Sequence, residues 1–375
     1  VDGMGVKDLK AYYRENKTPL LSSLHSGTYL AQPILGIRIP KSNGKTRLLG
    51  VPTVLDRLLQ QAVSQTIAVK FEPCFHANSY GFRPNKNAQQ AVLKAKEYIN
   101  AGYQHIVDMD LKSFFDEVDH CLLLQLLHNQ IQCKATMRLI RKWLRAPILI
   151  AGKLQKRRKG VPQGSPLSPL LSNILLNELD KELTRRGLRF VRYADDFSIY
   201  CKTWHEARKA GNGIYLYLKN KLKLPINREK SGLRKPVNFT LLGYGFVPTY
   251  QKGEKGQYQL IVSAKGWKTL KQKIKTITRK TTPMSFDERI SVSIPNPPLY
   301  RLKKNGLGVT SLSKSVLSLF DLVLWEQFFP VYWSLQGRYF FECGSQPCVR
   351  IHTGLQAASQ QRIEYAVVLC TAVIA

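Results

Sequence analysis

The run from residue 188 to residue 201 constrains this chain more than any other. Apolar residues alternate there as in two short strands, with Phe190 and Val191 before a turn and Phe197 and Ile199 after it, and the turn is Tyr193-Ala-Asp-Asp196. The pattern reads as a β-hairpin with two adjacent carboxylates at its tip. Strands this apolar belong inside a sheet, and carboxylates beside them are costly to bury without compensation. Adjacent acids at a turn are ordinarily just a solvated turn. Here acids are scarce, 25 Asp and Glu against 57 Lys and Arg in 375 residues, so a pair set against apolar strands is informative.

A second acidic element points the same way. Residues 105–111 read as a buried strand that runs into Asp110-Leu-Lys-Ser-Phe-Phe-Asp116. A cleft that joins nucleotides needs two divalent ions, and magnesium needs hard oxygen ligands on rigid, neighbouring elements. Asp110 at a strand end, with Asp195 and Asp196 at a hairpin tip, are candidates to supply them. Asp108 would share a face with Asp110 on a strand, and reads as a structural acid.

The rest of the chain frames these acids. Residues 34–51 form a basic hairpin around Ser42-Asn43-Gly44. Helical periodicity follows over 54–68 and 88–99, with a loop at Tyr80-Gly-Phe-Arg-Pro84 between them. After the basic run Lys156-Arg-Arg-Lys159 comes Gln163-Gly-Ser-Pro-Leu-Ser-Pro169. A helix then opens with Ser168 as N-cap and Pro169 at its first position, and it ends at Gly187. A helix over about 206–222, a strand near 239–247 and a basic helix over about 266–280 complete the pattern. Strands and helices alternate without a period, which predicts an α+β fold.

The net charge of +32 predicts a polyanionic partner. It sits in residues 1–280, which hold 49 basic and 19 acidic side chains, against 8 and 6 in residues 281–375. With 44% hydrophobic residues the chain can build ordinary cores, which excludes a disordered basic tail. Seven scattered cysteines without a CxxC pair predict a reducing, intracellular setting. No run of 18 apolar residues occurs, and the stretch 317–329 is broken by Asp321 and Glu326, so no membrane span is expected. A start at Val1 reads as an internal fragment or a processed end.

Tyr193-Ala-Asp-Asp196 resembles the YxDD motif of reverse transcriptases. Six further blocks stand in the order expected of group II intron reverse transcriptase/maturases. They are Ile39-Pro-Lys-Ser-Asn-Gly-Lys-Thr-Arg47, Ser79-Tyr-Gly-Phe-Arg-Pro84, Asp110-Leu-Lys-Ser-Phe-Phe-Asp116, Gln163-Gly-Ser-Pro-Leu-Ser-Pro169, Asn227-Arg-Glu-Lys-Ser231 and Leu242-Gly-Tyr-Gly-Phe246. The resemblance implies a right-hand polymerase with a ferredoxin-like palm. Its fingers would span 1–104, its palm with an inserted fingers segment 105–250, and the start of its thumb 251–290. The implied activity is addition of deoxynucleotides to a DNA or RNA primer on an RNA template, with intron RNA the expected template. Two Mg2+ ions, or Mn2+ in their place, would serve it. The alternative is a maturase, a splicing cofactor for its own intron with polymerisation weak or lost.

The same resemblance assigns residues. Asp110, Asp195 and Asp196 match the metal-binding acids. Phe115 matches an aromatic beneath the incoming sugar, where a ring excludes a 2′-hydroxyl; either it or Phe114 is otherwise core. Gln163 and Gly164 match the border of the incoming nucleotide and template. Lys41, Lys45 and Arg47 reach triphosphate oxygens or are solvated hairpin charges, with Arg47 favoured for its fork of donors. Arg83 braces template or fingers, or forms a structural ion pair. Lys230 matches a lysine that protonates the leaving pyrophosphate or contacts a phosphate. The 156–159 run and a helix with Lys268, Lys271, Lys273, Lys275, Arg279 and Lys280 would line the nucleic-acid path. The match fades after Phe286-Asp-Glu-Arg-Ile290. Residues 291–375 carry neither the basic X domain of the family nor a zinc endonuclease domain, since Cys343 and Cys348 have no second pair, and they read as a degenerate or divergent tail.

Overall fold

Local chemistry sets most element boundaries. The computed structural model describes residues 2–40, 44, 46–249, 256–277 and 279. Lys41, Lys45, Lys280 and the whole region 291–375 lie outside the described residues, as does the block at 286–290. The chain opens with α1 (Leu9–His25), then pairs β1 (Ile34–Pro40) with β2 (Thr46–Val51). Gly44 stands between these strands at φ 77°, the left-handed conformation that glycine tolerates. Thr53 caps α2 (Val54–Phe71), accepting from Asp56 N, and an Asn87–Gln90 capping box opens α3 (Ala88–Asn100).

Next come β3 (His105–Met109), the short α4 (Phe114–Glu117), α5 (His120–Ile131), α6 (Lys134–Arg145), β4 (Ile148–Ile150) and β5 (Lys153–Gln155). The helix after the Gln163 block, α7 (Ser168–Arg185), is buried along most of its length. Ser168 is its first helical residue rather than its cap. The hydroxyl donates to the Pro162 carbonyl at 2.7 Å and so is turned away from the helix amides. Gly187 follows the helix at φ 67° and ends it as expected.

β6 (Arg189–Tyr193) and β7 (Asp196–Cys201) form the acidic hairpin. A Thr203–Glu206 capping box opens α8 (Trp204–Tyr217), which continues through a wider turn at Leu218–Leu222. β8 (Gly232–Arg234), β9 (Thr240–Leu241), β10 (Tyr244–Pro248), β11 (Tyr258–Val262) and α9 (Ala264–Ile277) follow.

The strands make three sheets, in the orders β2-β1-β4-β5, β6-β7-β3-β8 and β11-β10-β9. In the second, the chain order β3, β6, β7, β8 becomes the spatial order second, third, first, fourth, with every pairing antiparallel. With α7 before β6 and α8 after β7, this is the β-α-β-β-α-β arrangement of a ferredoxin-like palm. One face of that sheet packs Val107, Met109, Phe197 and Ile199 into the main core with α7 and α8. The other packs Ile106, Val191 and Tyr200 with α3 and the β9–β11 sheet. The fold is α+β, as the sequence predicts. Among the described residues no helix is long and apolar enough to cross a membrane.

Candidate active site

Tyr193 and Asp196 are the last pair of the β6–β7 ladder, so Ala194 and Asp195 make the turn. Ala194 adopts φ 57°, a conformation that costs a non-glycine residue about 1 kcal/mol or more. The loop after α2 lies directly against it: a Cβ on Gly81 would run into the backbone nitrogen of Ala194. Tyr80 N also donates to the Arg192 carbonyl, and Arg192 N donates to the Asn78 carbonyl, so the loop is laced onto β6 just below the tip.

Asp110 reaches the same place from β3. Met109 faces Phe197 across the ladder, so the next residue, Asp110, lies opposite Asp196, on the face that also carries Asp108. The loop after α8 brackets Asp110. Its amide donates to Ser231 Oγ at 3.0 Å, its carbonyl accepts from Asn227 N at 2.9 Å, and its Oδ2 accepts from Asn227 Nδ2 at 2.9 Å. Lys230 Nζ lies 3.4 Å from that same oxygen.

The charge of Asp110 reaches both hairpin acids. Burial pushes the Asp195 carboxyl above the usual carboxylate range and the Asp110 charge adds to it, while Arg47 and Arg192 oppose the shift. Asp196 is pushed up to about 7, first by burial and then by the charges of Asp195, Asp110 and Asp108, against the pull of Lys230. Solvent still reaches Asp196, which starts the strand β7 as its one exposed residue. A carboxylate surrounded by protein yet open to water on one side sits on the floor of a cleft. Asp108 is held by Arg234 Nε at 2.7 Å, the structural role its position suggested.

The donor set suits a divalent cation: hard carboxylate oxygens whose mutual repulsion a dication would relieve. The match extends to chemistry and placement rather than to a closed coordination shell. Among the described residues no three His, Cys, Asp or Glu side chains are gathered into a ligand set, and Asp110 Oδ2 is engaged by Asn227 and Lys230.

The remaining residues divide. Phe114 is core, whereas Phe115 is only partly buried against it, ring centroids 5.3 Å apart. Val161 N donates to the Phe115 carbonyl at 2.7 Å, which ties Phe115 to the strand of residues leading to Gln163. Gln163 accepts from Gly50 N at 2.8 Å through its carbonyl, and Gly164, at φ 117°, packs on the Gly50 carbonyl. The Gln163 block is therefore seated on β2 at Gly50. Arg83 does not turn toward this cleft. Its guanidinium pairs with Glu72 at 2.7 Å and donates to the carbonyls of His76 and Ser79, so its donors are consumed in bracing its own loop. Arg157 likewise folds inward onto the Gly160 carbonyl at 2.7 Å, so the 156–159 run is not wholly a nucleic-acid surface. Asn227 and Ser231 stood within a recognised block without an assigned role, and they prove to be the clamp on Asp110.

Comparison with known proteins gives a match to the family described as reverse transcriptase (RNA-dependent DNA polymerase) over residues 39–246. Protein YkfC of Escherichia coli (strain K12) is 32% identical over 290 residues, 66% of this chain and 75% of that protein. The group II intron-encoded protein LtrA of Lactococcus lactis subsp. cremoris is 37% identical over 182 residues, 48% of this chain but 30% of LtrA. A putative COX1/OXI3 intron 2 protein of Saccharomyces cerevisiae is 28% identical over 209 residues, 54% of this chain and 23% of its own length. The matched region thus spans three quarters of the first relative and less than a third of the other two.

Proposed function

The chain belongs to the reverse transcriptase (RNA-dependent DNA polymerase) family, and on that premise we propose that it is the polymerase of a group II intron-type element. It adds deoxynucleotides to the 3′ end of a DNA or RNA primer on an RNA template, with intron RNA as the natural template. The observation that carries this reading is the meeting of Asp110, Asp195 and Asp196 at one end of the β3–β7 ladder, where the Asp110 charge disfavours ionisation of both hairpin acids.

Two Mg2+ ions, with Mn2+ as substitute, supply activation of the attacking hydroxyl and neutralisation of the triphosphate when bound. Asp110, Asp195 and Asp196 hold them. Arg47, which already acts on Asp195, orients the triphosphate together with Lys41 and Lys45. Phe115, braced from behind by Phe114, excludes a ribose 2′-hydroxyl. Gln163 and Gly164 border the nascent pair from their seat on β2. Lys230, already within 3.4 Å of Asp110, gives a proton to the leaving pyrophosphate. The division into fingers, palm and thumb at residues 104, 250 and 290 belongs to the same proposal.

Primer extension on an RNA template tests it. The full chain should extend a primer with Mg2+, and Asp195→Asn should reduce extension to background while RNA affinity stays unchanged, because the net charge that attracts RNA lies elsewhere. Loss of RNA binding in that variant would point to a structural role for Asp195, and an inactive parent chain that still binds RNA would favour the splicing-cofactor reading.

A further inference from the structure

Below the acidic tip lies an arginine that no part of the chemistry above uses. Arg192 pairs with Phe197 on the face of the palm sheet opposite the acids, and it is completely inaccessible to solvent. Its Nε and Nη2 donate to the two carboxylate oxygens of Asp180 at 2.8 and 2.6 Å. Its Nη1 donates to Asn173 Oδ1 and to the Ala194 carbonyl, both at 3.0 Å. Asp180 and Asn173 stand on α7 and are themselves fully buried. Asn173 Nδ2 donates in turn to the Gly81 carbonyl at 2.9 Å, in the loop pressed against Ala194.

Stability alone is a poor account of this network. A buried ion pair can often be replaced by apolar residues of similar volume at little or no loss, because desolvation offsets the attraction. A guanidinium offers something an apolar side chain cannot: a rigid planar fork that meets several acceptors at fixed angles. Here one prong holds the carbonyl of Ala194, the left-handed residue that turns the chain into Asp195. Two prongs are locked to α7, so the direction of the fork is set by a buried helix rather than by the hairpin itself. Gly81, held to the same helix through Asn173, closes the turn from the other side.

The geometry points to Arg192 as a positioning residue for the catalytic tip, oriented by Asp180 and Asn173, that fixes where Asp195 and Asp196 present their carboxylates. The inference rests on the reading of those two acids as metal ligands given above.

Arg192→Lys in the full-length chain tests it, since lysine keeps the charge and loses the fork. Three measurements are made: thermal stabilisation by Mn2+ in the absence of nucleic acid, kcat per active molecule from burst titration, and KM for primer-template. Leu183→Ala, at a buried position of α7 with no link to the tip, is the control for simple destabilisation. Supporting groups of metal sites typically contribute 10- to 100-fold in affinity or activity, so the half-saturating Mn2+ concentration should rise about tenfold or more in Arg192→Lys. Its kcat should fall by a similar factor, with KM for primer-template unchanged, whereas Leu183→Ala should lose melting temperature alone. Asn173→Ala, which cuts one link and leaves the ion pair, should shift the same two quantities by a smaller factor; it decides the matter if Arg192→Lys does not fold. Wild-type Mn2+ dependence and kcat in both variants would overturn the proposal. A parent chain that Mn2+ stabilises no better than its Asp195→Asn variant would instead overturn the reading on which it rests.

Discussion

Two hairpins bear on the cleft, and they are built in opposite ways. In β6 and β7 most side chains are buried, including a charged one, and the pair occupies one half of a sheet packed on both faces. In β1 and β2 only Ile34 and Gly50 are buried, β2 is an edge strand, and Leu35, Ile37 and Ile39 remain 37 to 43% exposed on one face. The contrast follows the tasks. A metal-bound reaction depends on placing a few oxygens to within a fraction of an ångström, since a misplacement of about 1 Å can cost a hundredfold. A polymer that moves through the protein needs contact that tolerates sliding, which exposed cations and a half-covered apolar surface provide.

The sharpest way to break this comparison is to place the same methyl group in each hairpin region. Gly81→Ala drives a Cβ into the backbone of Ala194. It should cut extension by about a hundredfold, through displacement of the tip, and cost about 1–3 kcal/mol of stability. Gly44→Ala, at φ 77° with nothing within 4 Å of the new atom, should carry only local strain of about 1 kcal/mol. Chemical denaturation with parallel extension assays decides it. Comparable losses of activity in the two variants would mean that the fingers turn is as tightly specified as the tip.

The next largest effect concerns Phe115, which belongs to neither hairpin and packs, only partly buried, against Phe114. Phe115→Val should admit ribonucleotides, lowering dNTP over rNTP selectivity by roughly 10- to 100-fold, the range by which a steric pocket discriminates. Because Phe115 is only partly buried, its loss should cost roughly 1–2 kcal/mol, below the range for fully buried phenylalanines. Unchanged selectivity in a folded variant would return Phe115 to the core beside Phe114.

How much of this was legible beforehand differs between the two regions for a physical reason. The acidic hairpin, α7 and the β1–β2 pair announce themselves through local alternation, periodicity and turn residues, and they form where the sequence places them. The amphipathic helices α1, α5 and α6, and the three-residue strands β4 and β5, were not anticipated, because short or mixed patterns are decided by what packs on them. The supports of the site were the least visible. Asp180 lies 12 residues from Arg192 in the chain, and only the fold brings them together. A signal was present nonetheless: Asn173, Asn177 and Asp180 recur at i, i+4 and i+7 among the leucines of a helix, and Arg192 stands among apolar strand residues. Polar residues on an apolar face imply a buried partner.

Arg47 tests the fingers more gently. It lies opposite Ile39 on β2, and its charge reaches Asp195. Arg47→Gln should raise KM for dNTP about tenfold, the weight of one charge-assisted contact, and change kcat less. A fall in kcat with KM unchanged would mean that Arg47 serves the metal acids rather than the nucleotide.

The smallest effect is expected one residue away on the neighbouring strand. Arg38 pairs with Leu48, whereas Ile39 pairs with Arg47, so Arg38 projects from the face of β1 opposite the one that shares Arg47. It is exposed. Arg38→Ala should therefore leave kcat and KM for dNTP at wild-type values. RNA affinity should fall only through mass electrostatics. Each phosphate contact on a single strand adds about 0.7 to the slope of log affinity against log salt, so the slope should drop by no more than that. This amounts to less than about a threefold change in salt sensitivity between 50 and 200 mM. A drop of about 0.7 would show that RNA passes over the face of β1 that carries Arg38, and no drop that it keeps to the face of Arg47. A loss of kcat would break the comparison at its weaker end, because a solvated cation on a half-exposed strand would then be setting the position of reacting atoms.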